Sequence, residues 1–104
     1  MSLNISAFFA AHDHEYLKFE HIQSPRSPRS DLHAFLLLDE LATKAGVAPR
    51  GRRNRIIAAA AHDEIFFAVS PADIAAVATE QDLLDLIRCG VRYSQMYDCF
   101  SSFV

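Results

Sequence analysis

Two helix starts placed nine residues apart constrain this chain more than any other feature. Ser70-Pro71-Ala72-Asp73 supplies a capping hydroxyl, a proline at the first helical position and an acid in the first turn. Thr79-Glu80-Gln81-Asp82 repeats the arrangement, and Gly90 stops the second helix. The first helix buries Ile74, Val77 and Ala78. The second turns Leu83, Leu84, Leu86 and Ile87 inward and Asp82, Asp85 and Arg88 outward. Beyond Gly90, Val91-Arg92-Tyr93 and Tyr97 to Val104 read as extended, a terminal hairpin whose Phe-Val end docks into the fold. Helices and strands grouped in this way are not a regular βαβ alternation.

The rest of the chain has the same mixed character. Asn4 caps a short helix, Ile5 to Ala11, with Ile5, Phe8 and Phe9 on its apolar face. Glu15 to Ile22 alternates with period two, Leu17, Phe19 and His21 sharing a side, which predicts a strand. Ser24 to Ser30 is a doubled Ser-Pro-Arg, and two prolines three residues apart make it a loop. Asp31 stands as the cap of a helix running from Leu32 to Ala45 and stopped by Gly46. Its first turns are apolar nearly all round, so it is central and buried, with Glu40 and Lys44 paired at its exposed end. Asn54 caps a further helix through the four alanines to His62, with a buried strand as the alternative. Alanine is poor strand material. Glu64 to Val69 reads as a buried strand. The sum is an α+β domain, with helices packed on one face of a small antiparallel sheet.

At 104 residues with 51% hydrophobic and 22% charged, the chain is one domain, residues 1–104, and is too apolar for a disordered segment. The first eleven residues hold no Lys or Arg, and no apolar run approaches the ~20 residues of a membrane helix, so a cytoplasmic protein with no membrane contact is expected. Cys89 and Cys99, without a CxxC pair, read as reduced and structural.

Charge is divided unevenly. Between Arg26 and Arg55 seven basic residues face three acids, a local +4 within a net −3, which leaves −7 elsewhere. Arg50, Arg52, Arg53 and Arg55 crowd one glycine-containing loop at 47–54, and Arg26 and Arg29 lie in the other, at 24–30. Guanidinium clusters suit phosphate. The chain is nonetheless acidic overall, whereas nucleic-acid domains are basic, and it has no aromatic RNA-binding motif. These six arginines are the candidate binding residues, toward a protein partner first and nucleic acid second.

A histidine–acid cluster offers another chemistry. His12 and His14 are spaced as metal ligands in an extended segment, with His62 or Asp63 as the third, but without HExxH or a fixed spacing between motifs. Asp63 and Glu64 point to opposite faces of a strand and do not form a carboxylate pair. No GxSxG, GxGxxG or phosphate-cradling loop is present, and Cys89 sits at a helix C-terminus, where the dipole raises a thiol pKa. No catalytic residue and no cofactor is assigned.

Four strings resemble small bacteriophage and prophage proteins of unknown function: Asp31 to Leu41, Ala61 to Phe67, Arg88 to Tyr93, and Phe103-Val104. The resemblance spans roughly residues 13–104, and the Ala48 to Arg55 loop is longer than the turn that pattern carries. It implies a bacterial or phage cytoplasm and no activity. The reading is a non-catalytic protein that binds a host protein through the two arginine loops, with Tyr93 and Tyr97 as aromatic anchors. A homodimer stays open, because so apolar a small chain can leave a patch uncovered.

Overall fold

The computed structural model describes residues 4–46 and 56–103. Helix α1, Ile5–Ala11, begins where Asn4 Oδ1 accepts the Ala7 amide at 3.0 Å. Two 3₁₀ turns follow, Asp13–Glu15 and Phe19–His21, where the alternating pattern predicts a strand. The reason lies at Leu17, which adopts φ 65° and gives its amide to Ile87 O at 3.2 Å, across to the end of a helix far along the chain. A left-handed residue at the midpoint breaks the extended run.

Helix α2, Ser30–Lys44, starts one residue before its expected cap. Arg29 is the capping position, its carbonyl accepting the His33 amide at 3.0 Å with no side-chain cap bond, and Asp31 instead accepts from Leu32 within the first turn. The helix buries His33, Ala34, Leu37, Leu38 and Leu41. It is not buried all round: Leu32 and Leu36 are 43% and 46% exposed. Glu40 pairs with Arg26 of the preceding loop, the contact expected from Lys44.

Strand β1, Ile57–Ala61, replaces the expected alanine helix. His62 and Asp63 both have positive φ, 52° and 66°, the backbone of a two-residue hairpin that returns the chain as β2, Glu64–Phe67. Pairing with β2 overrides the helix propensity of alanine. Helix α3, Pro71–Val77, starts with proline in its first turn, although Ser70 makes no side-chain cap bond. Helix α4, Glu80–Arg88, has the full reciprocal box between Thr79 and Asp82. Gly90, at φ 91°, turns the chain into the hairpin of β3, Val91–Ser94, and β4, Cys99–Phe103.

The antiparallel sheet has the order β1-β2-β4-β3, so the last strand lies between β2 and β3. Its register places Ile65, Phe67, Val91, Tyr93 and Phe100 on one face. On that face Phe9 of α1 meets Phe100 at 5.7 Å, and Phe35 of α2 meets Phe67 edge-on at 5.5 Å. The core between helices and sheet holds Leu37, Leu38, Leu41, Ile74, Leu83, Leu86 and Phe100. Each such side chain contributes about 1.5–3 kcal/mol when fully buried, against under about 1 kcal/mol for an exposed ion pair, so the core and not the surface charge sets the fold. The protein is α+β. Among the described residues no helix is long and apolar enough to cross a membrane.

Candidate functional site

The arginines singled out by charge do not converge among the described residues. Arg26 is committed to Glu40, and its amide donates to His33 Nδ1 at 3.0 Å. Arg29 is exposed at the start of α2. Arg50, Arg52, Arg53 and Arg55 lie outside the described residues. Of the proposed aromatic anchors, Tyr97 is 71% exposed, while Tyr93 is half-buried and donates its hydroxyl to Asp98 at 2.9 Å.

The histidines are held by local contacts. His12 stacks on Phe8 and donates Nδ1–H to Phe8 O at 2.9 Å; the His14 ring is 6.2 Å away. His62 sits in the left-handed turn between β1 and β2. Among the described residues no three His, Cys, Asp or Glu side chains gather as a metal site requires, so His12, His14 and His62 are not brought together as a ligand set.

What the fold does assemble is an open edge beside a groove. All five residues of β1 are exposed, and among the described residues no strand pairs with its outer side. The geometry of the hairpin says which groups point outward. Ala61 and Glu64 close the two-residue turn as the hydrogen-bonded pair, so Ala60, opposite Ile65, turns its N–H and C=O away from β2. Nothing charged interrupts the strand and proline is absent from it, so of the usual guards of an edge it carries only the bulge between Ile57 and Ala59.

Alongside it, on the helix-covered face, a groove of about 710 Å³ separates the sheet from the first turns of α2. Ile57, Ile65 and Phe67 line its sheet side and Ala34 and Phe35 its helix side, with Arg29 at the lip. Each apolar side chain here arrives by a different route. The bulge between Ile57 and Ala59 sets Ile57 opposite Phe67, and the half-turn spacing of α2 leaves Phe35 between its buried and open faces.

The chain matches no family model, no curated protein and no solved structure.

A second assembly, polar and half-buried, joins parts of the chain that the sequence keeps far apart. Arg88 of α4 is 13% exposed and donates to Glu15 Oε1 at 2.8 Å and to Asp85 Oδ1 at 3.4 Å. Gln81 donates to the same Asp85 oxygen at 2.8 Å, and His21 Nδ1 lies 2.8 Å from Glu15 Oε2. Asp85 and Arg88 are therefore turned into the fold, not outward as the helix pattern predicts. The hydrogen bond from Arg88 holds the Glu15 carboxyl down at about 2, against burial, which raises it, and with help from His21. The network ties the 3₁₀ turns to α4. Its chemistry is that of a clasp, because the guanidinium already serves two carboxylates.

Two further titratable groups are buried and inert. His33, 1% exposed, is kept neutral by burial and then by the nearby Arg26 charge. Cys89 has its thiol pushed up to about 12, first by burial and then by Asp85, so burial rather than the helix end is the main cause. The Cys89 thiol therefore lacks the lowered pKa of an activated nucleophile.

Proposed function

We propose that this protein is a non-catalytic binding domain whose ligand is another protein, one of the bacterial host if the chain is phage- or prophage-borne. One observation carries the reading: β1 is fully exposed and uncharged, no strand among the described residues pairs with its outer side, and it borders an open, largely apolar groove. Natural sheets guard such edges with charge, proline, bulges or a covering element unless the edge serves a contact, and β1 has the bulge between Ile57 and Ala59 alone. Apolar surface clustered next to it is the usual mark of an interaction site.

The test is a pull-down from bacterial lysate with the tagged chain, run with and without nuclease and repeated with Ala60→Pro. A protein retained near stoichiometry through nuclease treatment, and lost with Ala60→Pro, is the expected result. Material released by nuclease in both proteins would overturn the reading and move the activity to nucleic acid and the arginine-rich sequence.

A further inference from the structure

We propose that the ligand enters as an extended segment of the partner chain. It adds to β1 as a fifth strand and sets apolar side chains at alternate positions into the groove beneath α2. This rests on the protein-binding reading above and specifies the chemistry of the partner.

The edge supplies the first half of the argument. A five-residue strand is about 17 Å long; past the bulge between Ile57 and Ala59 an incoming strand finds the outward N–H and C=O of Ala60, and no side chain larger than the Ile57 side chain obstructs it. Main-chain pairing of this kind gives affinity without sequence preference, and pockets beside the edge supply the preference. The groove meets that description. It lies on one face only, so in a strand that adds to β1 only every second side chain turns toward Ile57, Ile65 and Phe35. The other side chains face the opposite side of the sheet, where the register puts Glu64, Phe66, Arg92 and Phe103. The segment recognised is therefore apolar at alternate positions and tolerant between them.

A second copy of this chain is the competing occupant, and area argues against it. Two β1 strands paired edge to edge would meet over about 17 Å by 10 Å, well short of the ~800 Å² per partner of a stable interface, whereas a segment that also fills the groove adds its lining to the same edge. The incoming β1 would offer alanines, and alanine methyl groups do not fill a groove of about 710 Å³. Larger apolar side chains from another sequence do.

The experiment uses a nine-residue synthetic peptide alternating valine and threonine, with a lysine at each end, titrated into the full chain and followed by amide chemical shifts and hydrogen exchange. Slowed exchange at the Ala60 amide, and shifts at Ile57 and Phe35, are expected. The same peptide N-methylated at every second amide, in both phases, should bind at least tenfold more weakly in the phase that blocks pairing. This comparison leaves the protein unaltered, so it stands even if Ala60→Pro fails to fold. Equal affinity for the methylated peptides, or shifts confined to residues away from β1, would overturn strand addition. So would a free protein that runs as a dimer with Ala60 protected before peptide is added. A partner captured from lysate and retained by Ala60→Pro, with no peptide binding, removes this inference and leaves the protein-binding reading intact; no captured partner together with no peptide binding removes both.

Discussion

Replacing Ala59 with threonine separates the observed hairpin from the helix that its alanines favour. Ala59 stands directly opposite Phe66 across the β1–β2 ladder, and its side chain is exposed. In a strand, a β-branched residue facing an aromatic across the ladder gains about 0.2–1 kcal/mol over alanine. The general preference of strands for β-branched residues acts in the same direction. A net stabilisation of about 0.5–1 kcal/mol follows, which for a domain of this size raises Tm by roughly 2–6 °C. Were residues 57–61 helical, the same change would cost up to about 0.7 kcal/mol and lower Tm by a similar interval. Paired thermal melts of the two proteins in one buffer, read by far-UV circular dichroism, give the sign directly. A fall in Tm would refute the hairpin assignment and, with it, the exposed edge and both functional proposals that rest on it.

Three other outcomes follow from the geometry. Gly90→Ala forces an L side chain into φ 91° and brings its Cβ to 2.7 Å from Leu17 Cδ2. The backbone part costs about 1–2 kcal/mol, and Leu17→Ala in the same chain should recover only the smaller part, measured by urea unfolding. In Arg88→Met the Glu15 carboxyl should titrate from about 2 back toward 4.5 by carbon NMR; an unmoved value would show that Arg88 does not hold it. Stability should fall with acid in two overlapping stages. The fold favours neutral His33, so that contribution is full above 6.5 and declines as pH drops below it. It also favours ionised Glu15, whose contribution is full above 4.5 and is lost toward about 2. Urea midpoints that rise between pH 6.5 and 5 would contradict the first stage.

Elements whose boundaries are written in adjacent residues are legible in the sequence: Asn4 before α1, Thr79 with Asp82 before α4, Gly90 before the terminal hairpin. Elements decided by distant partners are not. The alanines of β1 state a helix preference, and only pairing with β2 reverses it. Leu17, Phe19 and His21 alternate as a strand would, yet the Leu17 amide is claimed by Ile87. The clasp joins Glu15 to Arg88, 73 positions away, and no spacing rule links them. The groove draws Phe35, Ile57 and Ile65 from three elements, each unremarkable in its own segment. The one signal that could have found the site was the uncharged run at Ile57 to Ala61. A buried strand is the alternative the sequence offers there, whereas an open one is what forms.

The position of β4 has a consequence for how the protein is made. Because β4 alone joins β2 to β3, the β1–β2 hairpin has no sheet to belong to until residues 99–103 have been synthesised and have cleared the ribosome. Elongation at ~5–20 residues per second leaves the β1–β2 hairpin waiting for several seconds. During that interval the hairpin is open along both edges, β1 on one side and β2 on the other. A nascent chain of this design depends on the speed of its last strand.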